Sequence, residues 1–233
     1  AAIIAIILSS SFGLYTWMNN PESQMVAVTV RAGSKAEMAL PDGTFVHLNA
    51  ATNLEYDVNN SKQRLVKLSG EAFFDVAKNP DCPFKVIIND LQIEVVGTSF
   101  NVKTYKKDIV ETSLLSGRIR ISGGSLPHEY TLSPGQKATY SAMDRTLRIS
   151  KADAHVEAGW RDNYLIFEST PLIDVIAQIE RWYGVEIRLH HKQIAQDLLS
   201  GSFRNESIQN VIRSLSIQYG FKYEIHKDII TIY

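Results

Sequence analysis

The chain has 233 residues with 24 Lys and Arg against 25 Asp and Glu, long enough for one large core or two modest ones. Near-balanced charge with no long run of either sign argues against a direct nucleic-acid partner. The single cysteine, Cys82, excludes an internal disulfide, leaves the redox compartment open and reads as a buried or half-buried small hydrophobe.

Ala1 to Met18 is uncharged and almost wholly apolar, near the roughly 20 residues a helix needs to span a bilayer. Tyr15 and Trp17 suit an interfacial aromatic belt, and no Lys or Arg follows until Arg31, so the downstream side is expected to be non-cytoplasmic. A membrane anchor is preferred over a buried helix or a signal peptide, for which a basic start is missing and Ser9-Ser10-Ser11 is a poor cleavage site. The chain opens without Met or a basic flank, so an upstream portion is expected. Residues 19–25 form a polar linker in which Pro21 stops the helix.

From Val26 the pattern turns to strands. Pro41-Asp42-Gly43 separates Ala36–Leu40 from Thr44–Leu48 as a hairpin turn. Arg64–Val76 and Pro83–Val102 follow, the second turning at Asn89-Asp90, with Val86 and Ile88 and then Leu91, Ile93 and Val95 alternating inward. Ile109–Leu115, Arg118–Ser122, Tyr130–Leu132, Lys137–Tyr140 and Thr146–Ile149 continue the series with turns at Ser116-Gly117 and Pro134-Gly135. Short strands with repeated turn signals predict an all-β domain over about residues 26–150, as a sandwich, roll or short β-helix. Residues 151–164 are a connector, in which Trp160 is expected to pin the junction.

The last third repeats itself. Phe167 aligns with Phe203, Val175-Ile176 with Val211-Ile212, Ile179 with Leu215 and Tyr183-Gly184 with Tyr219-Gly220. Each copy reads as strand, amphipathic helix, Tyr-Gly stop and strand, so residues 165–233 are predicted to form a small α/β domain of two strand–helix–strand units. Pro171 suits the first turn of the first helix, Asn205 or Ser207 caps the second, and Ile229–Tyr233 returns as a final strand. Trp182 and Tyr183, at helical spacing from Ile179, are expected in the core.

Residues that carry chemistry are sparse. The chain contains no HExxH, no Cys-x-x-Cys, no phosphate loop and no nucleophile elbow, and Gly33-Ser34-Lys35 reads as a turn. His190, His191 and Asp197 suggest a metal corner, but adjacent residues on a strand face opposite ways, so no metal site is assigned. Glu71 and Asp75 share a strand face about 13 Å apart, too far for a working carboxylate pair, and a solvated or turn-capping role is expected. No cofactor and no enzyme activity are expected.

Leu40-Pro41-Asp42-Gly43-Thr44, His47-Leu48-Asn49-Ala50, Leu68–Lys78, Pro83-Phe84, Val96–Val102 and Leu132–Ala138, continuing to Trp160 and Phe167–Tyr183, resemble the FecR family of membrane-anchored anti-sigma regulators. Cys82 departs from the charged or polar residue that the family pattern suggests before Pro83. The C-terminal repeat resembles the secretin and TonB short N-terminal domain.

The resemblance implies a single-pass inner-membrane protein whose residues after about 18 lie in the periplasm. It further implies that the last domain receives the signalling domain of a TonB-dependent outer-membrane transporter, while an upstream segment holds a sigma factor. It also implies possible self-cleavage between Gly97 and Thr98, with the Thr hydroxyl attacking the preceding carbonyl; from the residues alone, Gly97 reads as a β-bulge or tight bend. Strand addition is expected at Ile229–Tyr233 or Leu165–Glu168. That makes Leu165, Phe167, Tyr223, Ile225, Ile229, Thr231 and Tyr233 the candidate contacts. The alternative class is an envelope scaffold that oligomerises through its repeat.

Overall fold

A computed structural model describes residues 24–58, 64–190 and 192–233. The expected membrane anchor, residues 1–18, lies outside the described residues, as does most of the linker. Among the described residues no helix is long and apolar enough to cross a membrane.

Two seven-stranded sheets face each other. The first runs β1 (Met25–Val30), β4 (Thr52–Asp57), β5 (Arg64–Ser69), β7 (Phe84–Ile88), β8 (Leu91–Val95), β11 (Ile119–Gly123), β12 (Tyr130–Leu132). The second runs β14 (Thr146–Lys151), β13 (Gln136–Ser141), β10 (Ile109–Ser116), β9 (Ser99–Lys103), β6 (Glu71–Asp75), β3 (Phe45–Leu48), β2 (Ala36–Ala39). Pairing is antiparallel except between β5 and β7. The inward positions of both sheets, among them Leu54, Val86, Ile93, Val46 and Val102, form one buried core, and each such side chain stabilises the fold by about 1.5–3 kcal/mol. Phe74 stacks on Phe100 within its sheet at 5.2 Å and meets Phe84 of the opposite sheet at 5.8 Å. The arrangement is a β sandwich.

Strands that the sequence runs together are cut where the chain changes sheets. Arg64–Val76 reads as one strand; the structure divides it at Gly70, with β5 in one sheet and β6 in the other. Gly70 has φ +118, and a Cβ there would stand 2.4 Å from Thr52 Oγ1, so only glycine fits the crossing. Pro83–Val102 likewise divides into β7, β8 and β9, the last in the second sheet.

The connector holds a short helix, α1 (Ala154–Ala158), capped by the Asp153 side chain, and a 3-10 turn, Gly159–Asp162. The α/β unit follows: β15 (Tyr164–Pro171), α2 (Leu172–Tyr183), β16 (Glu186–Leu189), β17 (Leu198–Arg204), α3 (Ile208–Tyr219), β18 (Tyr223–His226) and β19 (Ile229–Ile232). Both helices stop at a left-handed glycine, Gly184 and Gly220, whose N–H donates to the carbonyl of Glu180 and of Ser216. Ser207, rather than Asn205, caps α3 by accepting from Asn210 N–H. Pro171 stands one residue before the first turn of α2 and closes β15 instead. Val175, Ile179, Val211, Ile212 and Leu215 turn inward to a second core shared with Leu165, Phe167, Ile230 and Ile232.

The final strand corrects an expectation. β19 lies in the middle of its three-stranded sheet, parallel to β16 on one side and antiparallel to β18 on the other. Both its edges are occupied, so Ile229–Tyr233 offers no free ladder for strand addition. The open edges belong to β16 and β18, because β19 inserts between the closing strands of the two repeats.

Candidate functional site

The two cores meet at a seam built from the β1–β2 connection, one face of the second sheet, the connector and the amino-terminal repeat. Residues 31–34 form a tight turn in which Ser34 N–H donates to Arg31 carbonyl, at 3.2 Å. Gly33, at φ +77, turns its N–H outward to the Arg181 carbonyl at the end of α2, at 2.8 Å. A Cβ on Gly33 would lie 3.1 Å from the Tyr183 carbonyl, and one on Gly184 the same distance from that of Ala32. Backbone therefore packs on backbone here, at two glycines.

Lys35 closes the seam next to that turn. Its ammonium donates to the Trp160 carbonyl (2.5 Å) and to Asn163 Oδ1 (3.0 Å), and sits 3.7 Å from the centre of the Trp182 ring. Burial lowers its pKa from 10.5 to about 8, against the opposing pull of Glu71 and Asp162. On the same side Arg181 lies over the Tyr105 ring at 4.2 Å, Arg161 over Phe73 at 3.6 Å, and Lys106 pairs with Asp174 at 2.6 Å.

Beneath these contacts runs a buried polar chain. Glu71 accepts from Asn49 Nδ2 (2.8 Å) and Asn101 Nδ2 (2.9 Å), and Asn101 Oδ1 accepts from Trp160 Nε1 (3.1 Å). Glu71 is 7% exposed and Asn101 2%, so the solvated role expected of Glu71 is corrected. Its oxygens are committed to two amides because β9, β6 and β3 stand side by side, which brings Asn101, Glu71 and Asn49, one residue past the end of β3, to one face. Asp75, by contrast, is exposed and accepts from Ser99 Oγ. Burial and the nearby Glu71 push the Tyr105 phenol well above its ordinary range.

A cleft of about 620 Å³ opens along the seam, with Lys103, Glu111, Lys137 and Glu157 on one wall and Thr170, Asp174 and Gln178 on the other. The charges of the first wall are matched. Lys137 bridges Glu157 (2.9 Å) and Glu111 (3.1 Å), and Ser113 Oγ donates to the other Glu157 oxygen. Burial alone would lower the Lys137 ammonium; Glu111 and Glu157 outweigh it and hold it above its ordinary value. Burial likewise works against the Glu111 carboxylate, and Lys137 and Lys103 overcome it and hold it down. The wall residues thus fasten the connector to the sandwich.

Trp160 takes its expected place at the junction, buried against Phe73 and Ala158. Trp182 lies half-buried at the seam rather than wholly in the α/β core. His190 stacks on Tyr233 at 5.8 Å, and His191 lies outside the described residues. Thr98 is buried where the chain passes from β8 to β9; its hydroxyl donates to the Arg118 carbonyl (3.1 Å). A Cβ on Gly117 would approach the Gly97 carbonyl to 2.8 Å, so that carbonyl is tightly enclosed.

The candidate contact residues do not form one surface. Leu165 and Phe167 are 1% and 2% exposed and point into the core, leaving only the β15 backbone to a partner. Tyr223 and Ile225 are half-buried on the edge strand β18, opposite Ile232 and Ile230. Ile229 and Thr231 alternate with those buried positions, so they face the other side of the sheet, and Tyr233 is 51% exposed at its end.

Sequence reasoning missed Lys35, the Asn49–Glu71–Asn101 chain and Arg64. A weak signal existed for Asn101, an amide between the apolar Phe100 and Val102; buried there, it needs a partner. Arg64, 6% exposed, donates to the carbonyls of Ala77, Asn79 and Cys82 and to Asp42. It pins the loop that follows β6.

Comparison with known proteins gives concordant matches. The family described as FecR protein matches residues 26–120, and FecR, C-terminal matches residues 164–232. A crystal structure of a candidate anti-sigma factor from Parabacteroides distasonis ATCC 8503 at 1.65 Å aligns with a TM-score of 0.80. Identity is 30%, over 89% of this chain and 98% of that one. Another from the same organism, at 2.50 Å, gives a TM-score of 0.81 and 30% identity over 90% and 99%. No curated protein matches the chain. Two family regions in order, with 30% identity running through 89% of its length, show that the chain belongs to the FecR family.

Proposed function

We propose that this chain is the periplasmic part of a single-pass inner-membrane anti-sigma regulator, anchored through Ala1–Met18. The α/β unit, a secretin/TonB short N-terminal-like module, receives the periplasmic signalling domain of a TonB-dependent outer-membrane transporter. The signal passes through the sandwich and across the membrane to an extracytoplasmic-function sigma factor held by a segment upstream of Ala1. The chain acts by contact and load, and turns over no substrate.

The observation that carries this reading is the seam. Two bodies with separate main cores are joined by one half-buried ammonium, one glycine turn, a few polar contacts and a small apolar cluster of Phe73, Ala158, Trp160 and Trp182, a junction that a partner bound to one body can loosen. The relatives described as candidate anti-sigma factors agree with it. Since β19 is interior, the receiving ladder is the open edge of β18, with Tyr223 and Ile225 beside it, or the backbone of β15 at Leu165 and Phe167. Ile229, Thr231 and Tyr233 flank the β18 ladder.

Hydrogen exchange of the chain with and without a purified transporter signalling domain tests this. Added protection at residues 223–226 or 164–168, with loss at 31–35, is expected. Saturable binding that protects only the sandwich would place the receiver elsewhere, and no binding to any cognate signalling domain would end the proposal.

A further inference from the structure

The two repeats are alike at their helix ends, yet only one of those ends is covered. In the first, the turn at residues 31–34 seats on the end of α2: Gly33 N–H meets the Arg181 carbonyl, and the backbone of Ala32 lies against Gly184. Thirty-six residues later the same end recurs in α3, with Ile217 for Arg181, Gln218 for Trp182 and Gly220 for Gly184. Gly220 has the same left-handed geometry, φ +71 against +68, and the same capping bond.

Around it the surface is open. A Cβ on Gly220 would meet nothing within 4 Å. Ile217 is 79% exposed. Among the described residues, no backbone donor outside the helix reaches the Ile217 carbonyl, the counterpart of the one that Gly33 caps. Beside it opens a groove of about 480 Å³, lined by Ser216, Phe221, Lys222, Tyr223, Glu224 and Tyr233, whose two charges are of opposite sign.

We propose that the carboxyl end of α3, centred on Ile217 and Gly220, is a second turn-docking site, and that its occupant is a glycine-containing β-turn of a separate protein. The resident turn shows what fits: a glycine with positive φ at the third position, whose flipped peptide aims its N–H at the helix-end carbonyl. The chemistry around the glycine differs between the sites. The α2 face is ionic, with Asp174 paired to Lys106 and Arg181 laid on Tyr105. At the matching positions α3 carries Asn210 and Ile217, and Gln218 replaces the tryptophan that holds Lys35. The partner's turn is therefore neutral, with an apolar side chain placed to cover Ile217 as Tyr105 covers Arg181. A second copy is a poorer occupant, because its own 31–34 turn is engaged on its own α2. The inference rests on the repeat; the groove shares Tyr223, Glu224 and Tyr233 with the β18 edge, and Ile217→Glu, which lies outside that ladder, tells the two sites apart.

The probe is a head-to-tail cyclised peptide of residues 30–36 carrying R31Q and K35Q, so that it is neutral, titrated into the whole chain and followed by amide chemical shifts. Saturable shifts at residues 217–223 are expected. They should persist in about 0.5 M salt, where charges are screened within a few ångströms, and disappear for a peptide with Gly33→Ala, whose Cβ strains the turn. Ile217→Glu, a substitution at an exposed site that keeps the fold, should weaken binding about tenfold or more. Shifts confined to 181–184, or none at 217–223, would overturn the site. Self-association of the chain that Ile217→Glu abolishes would overturn the choice of a separate protein and make the occupant a second copy.

Discussion

Replacing Lys35 by Met tests the seam most directly, because the substitution keeps the apolar stem against Trp182 and removes only the charge. Two hydrogen bonds are lost, to Trp160 carbonyl and Asn163 Oδ1, with the cation–π contact at 3.7 Å. The Trp160 carbonyl still accepts from Asn163 N–H at 3.2 Å, so it is not orphaned. The variant is also relieved of desolvating the ammonium. Charged hydrogen bonds contribute about 1.5–3 kcal/mol each and a partly buried cation–π contact about 1 kcal/mol. With the desolvation regained and the ammonium half exposed, the net loss is about 1–2 kcal/mol, a factor of about 5–30 in the closed-to-open ratio. Native-state hydrogen exchange reads this at Gly33, whose N–H bonds across the seam, and at residues 181–184. Protection there should fall by that factor while Val86 and Ile93, deep in the sandwich, keep theirs. A uniform fall through the sandwich would mean that the seam does not open separately, and no change at Gly33 would mean that Lys35 does not hold it.

Other outcomes follow from the same geometry. Because Lys35 has a pKa of about 8 when folded against 10.5 otherwise, the open chain holds the proton more tightly. Stability should rise with pH between those values, by less than about 1 kcal/mol for a half-exposed group, and K35M should flatten the rise in denaturant midpoints. Glu71→Gln sets an amide against two Asn donors and should cost about 1–3 kcal/mol, or roughly 2–6 °C in Tm at this chain length; an unchanged Tm would count against the buried chain. Arg64→Met leaves three carbonyls and Asp42 without their buried partner and should cost about 3–5 kcal/mol in urea unfolding. Intact-mass measurement of the purified chain should give a single full-length species, since the Thr98 hydroxyl donates to a carbonyl rather than to a base.

Periodicity was legible wherever one element buries one face. The Val86–Ile88 and Leu91–Val95 alternation and the Val175–Ile179 and Val211–Leu215 spacings all lead into the observed cores. Sheet changes were not legible, since Leu68-Ser69-Gly70-Glu71-Ala72 alternates as well across two sheets as along one strand; only the clash a Cβ would make at Gly70 marks the crossing. The position of β19 was hidden for a related reason. Insertion of the last strand between β16 and β18 is a tertiary choice to which local pattern is blind. Lys35 was illegible because its partners, Trp160, Asn163 and Trp182, lie far along the chain, and Asn101 because an amide between Phe100 and Val102 looks like the outward position of an ordinary strand.

The seam also bounds what a partner has to do. Its contacts are polar apart from one small apolar cluster around Trp160 and Trp182, while the two main cores share no residue. Reversing a two-state population from 1:99 to 99:1 needs about 5.5 kcal/mol of differential binding, less than the roughly 8 kcal/mol of a micromolar complex. The turn that the seam grips leads directly back into β1, an edge strand paired only with β4, and β1 is the described strand nearest in sequence to Ala1–Met18. Releasing Gly33 from Arg181 therefore removes a tether from the strand beside the proposed anchor, without strain having to cross the sandwich. On the proposed reading, the shortest route from the receiving domain to the membrane runs along the edge of the sheet and not through its core.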